Sequence, residues 1–77
     1  MSNYLFVIVD RYEASFSKSY QIESDLKNTK TILRNCLRKY LKWDMEWISS
    51  IHDEICKKGN MTTHDAEEQS FMLIKLK

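Results

Sequence analysis

The chain contains no proline, a single glycine and two cysteines in 77 residues, and each scarcity removes a class of protein. Phosphate-cradling loops, glycine-rich dinucleotide motifs and nucleophile elbows need glycine where the backbone approaches a ligand or takes positive φ. With Gly59 alone, none of them can be assembled. Cys36 and Cys56 are too few for the disulfide framework that holds small secreted domains together. The longest apolar run, Tyr-Leu-Phe-Val-Ile-Val at residues 4–9, falls far short of the roughly 20 residues of a membrane span. It has no basic segment before it and no small-residue cleavage site after it, so no signal peptide is expected. Charge of one sign is lacking too: 12 Lys and Arg against 11 Asp and Glu leave a balance of +1, which by itself does not point to nucleic acid. These absences predict a cytoplasmic protein with no membrane segment.

What is present suits one folded domain over residues 1–77. A hydrophobic share of 43% is too high for a disordered chain, and the length lies near the lower limit for an independent core. Residues 4–9 do not alternate, which predicts a strand buried on both faces. Residues 10–13 make a polar turn. Beyond it, Phe16, Tyr20 and Ile22 alternate with Ser15, Ser17, Ser19 and Gln21, with Lys18 interrupting the apolar side. That pattern predicts a hairpin over about residues 3–22, whose second strand is an edge guarded by an inward lysine.

Ser24 is a candidate N-cap, with Glu23 and Asp25 beside it, for a helix whose apolar face holds Leu26, Leu33, Leu37, Tyr40 and Leu41 and is flanked by Ile32 and Cys36. Ile48, Ile51 and Ile55 continue the helical pattern to Lys57, Lys58 and Gly59, a helix stop signal. One helix over residues 24–58 would be roughly 50 Å long, too long for so small a domain. A bend is therefore placed at residues 42–44, with Asp44 as a cap. Residues 60–69 are polar and read as a loop or a short turn capped at Thr62, and residues 71–76 read as a last strand. The expected fold is α+β, a ββααβ domain with a three-stranded sheet and two helices packed on one face.

The most informative feature is local charge. Between Lys27 and Lys42 there are six Lys or Arg residues and no carboxylate. Lys30, Arg34, Arg38 and Lys42 recur every four positions, with Lys27 on the same side, along the border of the apolar face. Like charges at this spacing repel by a few tenths of a kcal/mol per pair. A basic ridge therefore points to contact with an anionic surface, unless the acids at Asp53, Glu54, Asp65, Glu67 and Glu68 neutralise it within the fold. Trp43 and Trp47 follow Tyr40 at helical steps. Tryptophan beside arginine is the composition of binding hot spots, and equally of a small core.

Other chemistry finds less support. His52 and Cys56 have a helical four-residue spacing suited to one metal, but Cys36 and His64 lie far from them and no Cys-x-x-Cys pair is present, so no metal site and no cofactor are expected. His52, Asp53 and Glu54 fan apart on a helix. Asp10 with Glu13, Glu23 or Asp25 is the one arrangement of carboxylates that would serve a metal-assisted hydrolase. No enzymatic activity is expected. The sequence predicts a small binding protein, an inhibitor or modulator that docks on a larger protein with an acidic surface through Lys27, Lys30, Arg34, Arg38, Lys42, Trp43 and Trp47. By analogy of size, phage-encoded factors acting on host enzymes or defence systems have this make-up. In the alternative, the same ridge lies on the phosphate backbone of a nucleic acid. Self-association into a homo-oligomer would support so small a core.

Overall fold

A computed structural model describes residues 1–13 and 17–76. Its centre is a five-stranded, fully antiparallel sheet in the order β2-β1-β5-β4-β3. The strands are β1 (Ser2–Asp10), β2 (Lys18–Ser24), β3 (Cys56–Lys58), β4 (Met61–Asp65) and β5 (Gln69–Lys75). Between β2 and β3 run helix α1 (Thr29–Leu41), helix α2 (Met45–Ser50) and a 3-10 turn (His52–Glu54).

The first hairpin is present, with Ile8 opposite Lys18 and Ser2 opposite Ser24. β2 is an outer strand whose Lys18 is exposed. The expected places of Ser15 and Phe16 on that strand lie outside the described residues.

The three-stranded ββααβ architecture is overturned by a second hairpin, β3–β4. Residues 55–58 were expected to continue a helix to Gly59. Instead the chain leaves the 3-10 turn at Ile55, which is extended (φ −75°, ψ 122°), and Cys56 enters a strand. Gly59 is the turn of this hairpin, not a helix stop. Lys58 pairs with Met61, so Gly59 and Asn60 form a two-residue loop. Gly59 takes φ 60° at the first loop position, the placement a type II′ turn requires. A Cβ there would meet nothing within 4 Å, so backbone conformation and not space selects glycine. The polar segment after it is strand β4, not a loop. Its alternation is concealed because the two inward residues are Thr62 and His64, both almost fully buried. The Thr62 hydroxyl donates to the Thr29 hydroxyl at 2.7 Å, which satisfies one of them across to α1.

α1 also starts later than expected. Ser24 ends β2, its Oγ accepting from the Leu26 amide at 3.1 Å, and the N-cap is Asn28, whose Oδ1 accepts from the amides of Lys30 (3.0 Å) and Thr31 (3.4 Å). Leu26 therefore precedes the helix and is exposed, and Lys27 lies off the helix. The bend falls at residues 42–44. Lys42 turns the chain at φ 57°, in the left-handed region, and the Trp43 amide closes back on the Leu37 carbonyl at 3.4 Å. Asp44 then caps α2, accepting from the Trp47 amide at 2.7 Å. The longest dimension of the molecule is 34 Å, which an unbroken helix of roughly 50 Å would exceed.

One apolar cluster joins Tyr4, Phe6 and Ile8 of β1 with Phe71 and Leu73 of β5, under Ile32, Leu33, Cys36 and Leu37 of α1 and the isoleucines Ile48, Ile51 and Ile55. Tyr40 packs into its margin, with its ring 4.2 Å from Tyr20 and 5.8 Å from Phe6.

Candidate functional site

The ridge residues on α1 share one side of the helix because of their four-residue step, but the fold treats them unequally. Lys30 and Arg34 are half-buried, while Arg38 and Lys42 are exposed. Arg34 Nε is buried and has no hydrogen-bond partner among the described residues. A buried donor left unsatisfied costs about 1–3 kcal/mol. Arg38 extends over the start of α2, with Nη1 3.4 Å from Met45 Sδ.

Among the described residues none of the molecule's own acids forms an ion pair with this surface. Among the described residues the ion pairs are Met1 amine–Asp25 at 3.7 Å and Arg11–Asp65 at 3.5 Å, and neither involves the ridge. Asp53, Glu54, Glu67 and Glu68 are exposed and make no ion pair. The register explains this in part: Asp65 sits on β4 opposite Ser70, where Arg11 reaches it.

The two tryptophans divide between core and surface. Trp43, in the bend, packs edge-on against Phe71 (5.3 Å, 87°), with His64 behind it at 6.4 Å. Trp47, on α2, is 55% exposed, and Met45 beside it is 47% exposed. Trp43 and Trp47 touch edge to face at 6.3 Å, so the half-buried ring braces the exposed one. The α1–α2 corner thus presents Arg38, Lys42, Met45 and Trp47 together, with Arg34 behind them.

Lys27 lies elsewhere. It lines an open cleft of about 570 Å³ at the end of the sheet, together with Lys57 of β3 and Lys75 of β5. This second gathering of cations was not legible in the sequence, because its members come from three segments that only the strand order brings together.

The other candidate groups do not converge. Asp10 Oδ1 accepts from the amides of Tyr12 (2.9 Å) and Glu13 (3.2 Å), which makes it the stop of β1. Glu23 pairs with Asn3 at the opposite end of that strand, seven residues or roughly 24 Å from Asp10. Glu23 is therefore held apart from Asp10 by the hairpin register, whereas Glu13 stays in the turn beside it. His52 lies in the 3-10 turn and Cys56 in β3, so their spacing is no longer a helical one. Among the described residues no three His, Cys, Asp or Glu side chains gather as a metal site would require. His64 is buried with Nδ1 unpartnered, its ring stacked on Phe71 at 6.2 Å, in the place of a core residue. Burial pushes the Cys36 thiol up to about 11, against a smaller opposing influence of Lys39, so it is protonated at neutral pH. No helix among the described residues is long and apolar enough to cross a membrane.

Comparison with family models, curated proteins and solved structures finds no match to this chain, so the α1–α2 corner stands on its geometry alone.

Proposed function

We propose that the chain is a non-enzymatic binding protein that docks its α1–α2 corner onto an acidic surface of a larger protein, acting as an inhibitor or modulator of it. One observation carries the reading: among the described residues the ridge cations have no ion-pair partner, and an exposed tryptophan and methionine adjoin them. Unpaired like charges on one helix side weaken the helix, and the chain has 11 carboxylates with which to relieve them. An acidic partner relieves the repulsion between the exposed Arg38 and Lys42 and their half-buried neighbours. Trp47 and Met45 supply the apolar contact that charge alone lacks, since desolvated aromatic anchors beside arginine dominate interface energies.

The test is capture from the cells that make the protein, using the native chain, Arg38→Glu/Lys42→Asp and Trp47→Ala. Arg38 and Lys42 are better targets than half-buried Arg34 because both are exposed, and aspartate tolerates the left-handed backbone of Lys42. The expected outcome is one acidic protein retained by the native chain, lost from the charge-reversal variant and weakened about tenfold or more by Trp47→Ala, with circular dichroism unchanged in all three. Retention unchanged by charge reversal would reject the corner. Oligonucleotide binding by fluorescence anisotropy that falls steeply with salt, and disappears in the same variant, would transfer the ridge to a phosphate backbone.

A further inference from the structure

The sheet has two faces and only one is covered. Pairing places Gln21, Leu5, Ile74, Met61 and Lys58 in one row across the face away from the helices. The adjacent row is Ser19, Val7, Met72, Thr63 and Cys56. In the central strand β5 and its neighbour β1, the outward residues of these rows are all apolar: Leu5, Val7, Met72 and Ile74. Val9 extends the patch on β1 and Met61 on β4. Sheet strands that face water on one side alternate apolar with polar residues. β1 does not alternate, because both of its faces are apolar, and the fold supplies a cover for one of them.

We propose that the bare face is the interface of a twofold homodimer, in which two copies stack sheet on sheet. The chemistry of the patch selects a second copy. Its centre carries no charge, so it offers nothing to the acidic surface that suits the α1–α2 corner. Its rim is largely polar: Ser19, Gln21 and Glu23 on β2, Asn3 below with Leu76 beside it, Lys58 with Cys56 on β3, and the Arg11–Asp65 ion pair with Ser70 above. An apolar centre within a polar rim is the anatomy of a protein interface. The rim is also self-complementary. A twofold axis along β5 lays β1 of one copy over β4 of the other and β2 over β3. Val7 and Leu5 then face Thr63 and Met61 of the second copy, while Met72 and Ile74 meet their own equivalents. Glu23, one pleat step beyond the row of Lys58, comes within side-chain reach of that lysine across the interface.

The dimensions are adequate. Five strands about 4.8 Å apart and four residue rows about 6.8 Å apart cover roughly 500 Å² of flat footprint per copy, and stacked sheets sit about 10 Å apart. Two such faces bury on the order of 1,000 Å², which is enough for a dimer of modest affinity with a dissociation constant in the micromolar range. The corner that carries Arg38 and Trp47 lies on the helix side of the sheet, so the dimer leaves two docking surfaces exposed and makes the protein bivalent. Dimerisation itself is independent of the function proposed above.

Sedimentation equilibrium of the full chain from about 1 to 500 µM tests the state, and a monomer throughout that range overturns the proposal. Val7→Glu with Met72→Glu is expected to shift dissociation at least a hundredfold while leaving circular dichroism intact, since both side chains point away from the core. A folded variant that dimerises as the native chain does overturns the assignment of the face. Dilution of the unsubstituted chain, followed by methyl chemical shifts, answers the same question if that variant does not fold. Leu5, Val7, Met72 and Ile74 are expected to shift together with concentration while Met45 stays fixed, and the reverse pattern overturns the assignment. Glu23→Lys is expected to weaken dimerisation about threefold and Lys58→Glu in the same chain to restore it; loss without restoration rejects the axis along β5.

Discussion

The two faces of the sheet carry side chains of similar kind and lead different lives. On the helix side, Phe6, Phe71 and Leu73 are closed off from water, and Tyr4 and Ile8 nearly so. On the other side, Leu5, Val7, Met72 and Ile74 come from the same two strands and remain half-exposed. The difference lies in what covers them. Among the described residues there is one set of helices, and α1, α2 and the isoleucines that flank the 3-10 turn, Ile51 and Ile55, all pack on the first face. Apolar composition therefore sets which residues seek cover, whereas the number of covering elements sets which receive it within one chain.

Neighbouring residues that point in opposite directions make this contrast measurable. Phe71→Ala removes a fully buried ring and is expected to cost about 3–5 kcal/mol in denaturant unfolding, most of the stability of a domain this size. Met72→Ala, one residue on, is expected to cost less than about 1 kcal/mol in dilute solution and more as concentration rises. An equal and concentration-independent cost at both positions would mean that the second face is covered within the chain.

The two cysteines form the next pair. Cys36 is buried, with its thiol pushed up to about 11 from 9.0, and Cys56 is exposed. The unfolded chain ionises Cys36 first, so it binds fewer protons than the folded chain between those values. Stability is thus expected to be unaffected by Cys36 below pH 9 and to fall by about 2–3 kcal/mol as pH rises from 9 through 11. Cys36→Ser, compared with the native chain by thermal melts across that range, should flatten this part of the profile. In native conditions a thiol reagent should label Cys56 rapidly and Cys36 only on unfolding. Rapid labelling of both would show that α1 opens far more readily than its packing implies.

Thr62 and Thr63 give the smallest effect. Thr62→Val breaks the hydroxyl contact to Thr29 and is expected to cost about 1 kcal/mol, whereas Thr63→Val, on the bare face, should be neutral and should strengthen self-association slightly. Urea midpoints of the two variants decide this. A penalty at Thr63 as large as at Thr62 would place a partner on its hydroxyl.

Much of this was legible in the residues. The edge strand with Lys18, the break at residues 42–44 and the Asp44 cap are each consequences of local chemistry, and each has its counterpart in the fold. The unalternating apolar run at residues 4–9 forms a strand, but not one buried on both faces, because the helices cover only Tyr4, Phe6 and Ile8 while Leu5, Val7 and Val9 stay half-exposed. The second hairpin was hidden because its signals were ambiguous at short range. Lysines followed by glycine end helices, and they also lead into a hairpin turn. Thr62 and His64 look like loop residues until their burial is known. The ridge was visible as a periodicity, but its isolation from carboxylates was not, because pairing depends on where distant segments come to rest. Lys27 departed from it for a local reason, the cap at Asn28 in place of Ser24.

What the sequence by itself determined was the set of groups needing burial and the cations that gather along one helix. Those follow from side-chain type and periodicity, which are properties of each segment alone. The strand order, the covered face and the separation of Asp10 from Glu23 were decided only by tertiary structure. They depend on which segments pair across the sheet, and pairing is settled by the burial the whole chain achieves at once.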